Sequence, residues 1–181
     1  IITGACAAAG ANIVDAQIFT TTDGMALDTI SVSRAFDNDE DELRRAARVA
    51  RSIEQALKGD IRIAEVVASQ HKKRSNTRAF HVLSEVVIDN ALSGRTTVVE
   101  ISGLDRPGLL YELTTALGKL NLNIASAHIA TFGEKVVDVF YVTDLTGSKV
   151  LHAGRLKTIE STLKSALESG LDAKRDAETV K

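Results

Sequence analysis

Asn12-Ile-Val-Asp-Ala-Gln-Ile-Phe-Thr20 returns near the other end of the chain as Asn123-Ile-Ala-Ser-Ala-His-Ile-Ala-Thr131. The two stretches lie roughly 110 residues apart, the period of a domain rather than of a solenoid repeat. Each leads through a short turn, Asp23-Gly24 or Gly133-Glu134, into another apolar run, Ala26–Val32 or Val136–Val142. Two like strand pairs imply two like domains.

The later copy reads from end to end. Thr96–Ser102 is rich in β-branched residues and predicts a strand, broken by Gly103-Leu-Asp-Arg-Pro-Gly108. Asp105 is the expected N-cap of the next helix, and Pro107 suits its first turn, where a missing N–H costs nothing. That helix carries Leu110, Leu113, Leu117 and Leu120 at helical spacing and stops near Asn121, a residue tolerant of positive φ. Strands Ile124–Thr131 and Val136–Thr143 follow, with Ala125, Ala127 and Ile129 expected on one face. Arg155–Leu167 then forms an amphipathic helix on Leu156, Ile159, Leu163 and Leu167.

The earlier copy repeats this order without its front. Ile1–Ala9 reads as the end of a first helix, and Gly10 falls where Asn121 falls in the later copy, both suited to positive φ. Strands Ile13–Thr20 and Met25–Ser33 precede helix Asp39–Leu57, whose acidic start suits the positive end of a helix dipole. That helix is expected to turn Leu43, Ala46, Ala47, Ala50, Ile53 and Leu57 inward and its arginines outward. Ile61–Ala68 reads as a closing strand.

Strand–helix–strand–strand–helix–strand is the ferredoxin-like arrangement, so the fold class is α+β: two βαββαβ units, antiparallel sheets with helices on one face. The first unit, residues 1–70, lacks its opening strand and most of its first helix, which predicts a distorted, exposed or partner-filled sheet. Residues 71–81 read as a polar, basic linker and 82–170 as the second unit. Val82–Ile88 is expected to fill that unit's closing-strand position, because Glu168 onward is too charged and irregular for one. Residues 171–181 read as a frayed tail.

At 181 residues the chain has room for two small domains. A formal charge of -2 provides no general pull towards nucleic acid or anionic membrane, and no apolar run approaches the ~20 residues that span a bilayer. The single cysteine, Cys6, excludes an internal disulfide and reads as a packed thiol. These features agree with a cytoplasmic protein. The chain opens on Ile1 inside a helix, and is read as a piece of a longer one.

Catalytic patterns are scarce. His71, His81, His128 and His152 lack metal-ligand spacing, and neither a phosphate-binding Gly-rich loop nor a nucleophile elbow occurs. His128 lies on a strand among small residues, either as a ligand hydrogen-bonder or as a structural or solvent-facing side chain. No catalytic residue, metal or cofactor is expected in this chain. The turn Gly103–Leu109 has a physical use, because it joins a strand to a helix N-terminus where free N–H groups and the positive dipole end converge. A small carboxylate suits it, and Gly108 removes bulk where a ligand would touch backbone. An ordinary capped turn is the alternative.

Gly103-Leu-Asp-Arg-Pro-Gly-Leu-Leu110 followed by Leu120-Asn-Leu-Asn-Ile124 resembles the signature of ACT domains, amino-acid-sensing modules of ferredoxin-like fold. The first copy keeps only the second half, at Gly10-Ala-Asn-Ile-Val14. Adding Ile88-Asp-Asn90, Thr97-Val-Val-Glu100, Ile124-Ala-Ser-Ala-His128 and Val137-Asp-Val-Phe-Tyr-Val142, nearly the whole chain resembles one family's C-terminal tandem ACT region. That family is the bifunctional uridylyltransferase/uridylyl-removing enzymes, which modify the PII nitrogen-signalling protein of bacteria.

This resemblance implies a glutamine-sensing regulatory segment. The family's nucleotidyltransferase uses UTP with Mg²⁺ or another divalent metal, and a metal-dependent hydrolase removes the uridylyl group; neither signature occurs here. By analogy with ACT sites, glutamine meets the turn Asp105, Arg106, Pro107, Gly108 and Leu109 beside the strand start of a neighbouring unit. Asn123 and Ile124 mark one such start, and Asn12 and Ile13 the other. The implied partners are glutamine and, through the parent enzyme, PII, without nucleic acid or membrane. The alternatives are a ligand-free module joining subunits as a homo-oligomer through sheet edges, and a stand-alone tandem-ACT regulator.

Overall fold

The computed structural model describes residues 1–21, 23, 25–71 and 82–178. In order they form α1 (Ile2–Ala8), β1 (Ile13–Thr20), β2 (Ala26–Val32), α2 (Asp39–Lys58) and α3 (Ile63–His71). Then come β3 (Glu85–Asp89), β4 (Thr97–Leu104), α4 (Leu109–Lys119), β5 (Leu122–Phe132), β6 (Lys135–Asp144) and α5 (Ala153–Glu178). All strands join one antiparallel sheet, ordered β2-β1-β5-β6-β4-β3. The two expected sheets are therefore continuous. Edge strands β1 and β5 satisfy each other across Gln17 and His128, instead of leaving two rows of unpaired backbone groups.

The second unit follows the expected α+β order. The strand foreseen over Val82–Ile88 is β3, lying on the free side of β4 where a closing strand belongs. Its core packs Leu109, Leu113 and Leu117 of α4 and Ile159, Leu163 and Leu167 of α5 against Val99, Ile101, Phe140 and Val142. Each such side chain contributes about 1.5–3 kcal/mol on burial.

The repeat extends to backbone irregularities. A bulge lies between Ile13 and Asp15 in β1, and another between Ile124 and Ser126 in β5. Each inserts one residue, Val14 or Ala125, and so reverses the alternation. Ala127 and Ile129 are buried while Ala125 is only half-buried, which corrects the simple period-two reading. The matching helix ends agree with expectation, with Gly10 at φ 68° and Asn121 at φ 55°.

The first unit departs further from expectation. The apolar run over residues 61–68 predicts a closing strand, but Ile63–His71 is helical. Its neighbouring strand slot is empty among the described residues, so helical hydrogen bonds satisfy this backbone instead. Ile63 and Val67, one helical turn apart, bury against Ala5 of α1. The approach is close: a Cβ on Gly4 would collide with Ile63 Cγ2 and lie 2.8 Å from Tyr111 Cδ2.

Helix α2 also turns differently. Asn38, not an acidic residue, caps it by accepting the Glu40 N–H at 2.7 Å. Leu43 and Leu57 are exposed, and Arg45 is buried, donating to Ser33 O at 2.6 Å and Glu42 Oε2 at 2.7 Å. Among the described residues only β1 and β2 lie on this side of the sheet, too little apolar surface to cover Leu43 and Leu57. The outer strand β2 leaves Met25 and Leu27 exposed beside it, as its missing neighbour predicts.

Helix α5 runs unbroken to Glu178, through residues foreseen as irregular from Glu168 and as a tail from 171. The linker foreseen over 71–81 lies, beyond the helical His71, outside the described residues.

Candidate functional site: a cleft between the two units

β4 ends at Leu104 and α4 begins at Leu109, leaving a four-residue bend. Asp105 is not the N-cap. That position belongs to Gly108, at φ 85°, and no side chain caps the helix. Pro107 stands outside the helix, two residues before it. A left-handed N-cap needs glycine, because a Cβ at this φ is strained. The N–H groups of the first turn lack intrahelical partners, and Leu109 N–H turns back to Arg106 O at 3.1 Å. Gly108 has no side chain to accept from the N–H groups of Leu110 and Tyr111, and both residues line a cleft.

Three contacts hold the bend. Asp105 N–H donates to Glu134 O at 2.7 Å, tying it to the β5–β6 turn. Arg106 places its guanidinium on Glu112 at 2.7 and 2.5 Å and on Ala166 O at 2.8 Å, which links α4 and α5. The Asn12 side chain approaches the Asp105 carboxylate across the boundary between the units and favours its ionised form. Burial raises the Asp105 carboxyl above its ordinary range, against the Arg106 amide, the Asn12 side chain and the Arg106 charge.

The cleft holds about 270 Å³, below the usual range for drug-sized ligands and suited to a small metabolite. Asp105, Arg106, Pro107, Gly108 and Leu109 form one wall, and Asn12 and Ile13 the facing one, so these foreseen residues come together. Asn123, Ile124 and His128 do not join them. Asn123 is exposed and donates to Asp144 O at 3.3 Å, and Ile124 is half-buried at the start of β5. His128 is exposed on the sheet face opposite Ala127 and Ile129, edge-on to Tyr141 with ring centroids 6.0 Å apart.

Asp138 belongs to the cleft although no motif in the sequence marks it. It is 1 % exposed, lines the cleft, and its Oδ1 has no hydrogen-bond partner among the described residues. Desolvation raises its carboxyl to about 7, with the Asp105 charge adding and the Ala130 N–H opposing. A signal existed in the repeat: Leu27-Asp28-Thr-Ile-Ser-Val32 matches Val137-Asp138-Val-Phe-Tyr-Val142. Asp28 pairs with Ile18 as Asp138 pairs with Ile129, and Asp28 Oδ1 is likewise without a partner.

Residues 93–169 match the family described as ACR family N-terminal ACT domain. The chain is 63 % identical, over 92 % of its length, to the bifunctional uridylyltransferase/uridylyl-removing enzyme of Bradyrhizobium diazoefficiens. It is 58 % identical over 98 % of its length to that of Rhodopseudomonas palustris, and 57 % over 94 % to that of Nitrobacter hamburgensis. The chain spans only 17 %, 19 % and 18 % of these relatives respectively. The second unit is an ACT domain of the ACR family, carried on a chain similar along nearly its whole length to a segment of uridylyltransferase/uridylyl-removing enzymes.

Proposed function

We propose that this chain is the regulatory segment of a cytoplasmic enzyme that uridylylates and deuridylylates a PII signalling protein, and that it senses glutamine in the inter-unit cleft. The observation that carries the reading is the uncapped start of α4 at Gly108, opening onto a cleft whose other wall belongs to the first unit. Backbone N–H groups at a helix N-terminus suit the α-carboxylate of an amino acid. A ligand bridging the Asp105–Leu109 bend and the Asn12–Ile13 strand start contacts both units at once, so it biases their arrangement. Coupling of this kind amounts to about 1–3 kcal/mol. Catalysis, with UTP and its divalent metal, belongs to other parts of such an enzyme.

Isothermal titration of the chain with glutamine, glutamate and glycine tests this. Heat with glutamine alone is the expected result, and silence with all three rejects the sensor. A structural module is the second reading, favoured by the open β2 edge with its exposed Met25 and Leu27. Concentration-dependent sedimentation that is indifferent to amino acids would support it.

A further inference from the structure

Opposite the helix start, the cleft is lined by a buried carboxyl with one oxygen left unbonded. Asp138 projects from β6 on the face buried under the helices, between Val136 and Phe140. Its register neighbours, Ile101 on β4 and Ile129 on β5, are apolar and bring it no donor. Ala130 N–H reaches the carboxyl, but Oδ1 stays without a partner among the described residues. A buried polar atom left unpaired costs about 1–3 kcal/mol, so its presence calls for a reason.

The repeat argues against accident. Asp28 occupies the same place in the first hairpin, opposite Ile18 as Asp138 is opposite Ile129, and it too has an unpaired Oδ1. Both copies therefore carry an acid at one position of the hairpin, and of the two Asp138 lines the cleft.

We infer that Asp138 is the cation acceptor of the cleft, receiving the α-ammonium of a zwitterionic ligand whose carboxylate lies on the start of α4. This inference rests on the amino-acid-sensing reading and adds the group that makes an amine obligatory. The two walls are complementary in sign: backbone N–H groups and a helix dipole on one side, a carboxylate on the other. Asp105 supplies further negative charge nearby, while the Arg106 guanidinium is turned away onto Glu112 and Ala166. An ammonium supplies the partner that Oδ1 lacks and favours the ionised carboxylate that burial disfavours. A carboxylic acid without the amine would leave Asp138 unpaired.

The test titrates the full 181-residue chain with L-glutamine and with 4-carbamoylbutanoate, which keeps the amide and carboxylate but has no α-amine. Wild type should bind glutamine roughly tenfold or more tighter than the analogue, as expected for a hydrogen bond to a charged group. Asp138→Asn should lose that advantage by weakening glutamine alone, while Asp28→Asn should leave both affinities unchanged. Equal binding of the two ligands by wild type overturns the inference whether or not the variant folds. So does an Asp138→Asn protein that keeps the wild-type discrimination. In both cases glutamine still binds and the sensor reading stands. Absence of glutamine binding to wild type overturns both.

Discussion

Gln17 of β1 lies directly across from His128 of β5, and the two hold the same place in the repeated stretch. When equivalent residues of antiparallel strands pair, a local two-fold axis passes between them. The two units are therefore related as two subunits of a symmetric dimer would be, within one chain. The axis places Asn12 beside the bend of the second unit. It sends Asn123 and Ile124 to the opposite end of the β1–β5 seam, where the bend of the first unit would lie. One cleft is thus complete, and the scattering of the foreseen residues into two groups is a consequence of symmetry.

Replacing Gly108 with valine should abolish amino-acid binding, because the side chain fills the approach to the helix start. It also places a β-branched residue at φ 85°. A stability loss of about 1–2 kcal/mol accompanies it, measurable by urea unfolding. Gly108→Ala separates the two effects: similar strain with less obstruction.

Asp138 predicts a pH dependence. Its carboxyl titrates at about 7 when folded, against 3.8 ordinarily. Between those values the native state keeps a proton that the unfolded chain has lost, so stability falls as pH rises through this window. The full loss, above pH ~7, is roughly 4 kcal/mol from this group. Burial of Asp105 acts in the same direction. Asp144 and Glu42, lowered chiefly by hydrogen bonds from Thr146 and from the Ala35 amide respectively, act the other way at more acidic pH. Asp138→Asn should flatten the profile between pH 4 and 7 and raise the melting temperature at pH 8.

Arg106→Lys should loosen the bend. A lysine cannot fork onto Glu112 and reach Ala166 O together, as the guanidinium does. The expected cost is about 1–2 kcal/mol, moderated because Glu112 is partly exposed. Thermal unfolding measures it.

Gly4→Ala tests the helical packing of residues 63–71. The added methyl meets Ile63 and Tyr111, forcing α3 or α4 to shift. A loss of about 1–3 kcal/mol is expected, with faster amide exchange at Ile63 and Val67. Unchanged exchange would contradict the packing of α3 on α1.

Much of the architecture is legible in the sequence. The hairpins, the leucine stripes of α4 and α5, and the positive-φ residues Gly10 and Asn121 are local matters of period and backbone sterics. So is the bend at 105–109, because Asp, Pro and Gly interrupt a β-branched run there. Residues 61–68 misled for the same reason that the others succeeded. Short apolar runs fit a strand or a helix equally well, and the deciding factor is whether a strand partner is present. Arginine usually faces solvent, which is the expectation for Arg45; its burial depends on Ser33 O and Glu42 being in reach.

By itself, the sequence determined two repeated α+β units and the bend that starts α4, since turn chemistry and hydrophobic period are properties of neighbouring residues. Only tertiary structure decided that the sheets fuse at Gln17 and His128, that Asn12 meets Asp105, and that Asp138 stands unpaired in the cleft. Those relations join residues distant in sequence, and they exist because an edge strand, a buried carboxylate and a polar side chain must each find a partner in space.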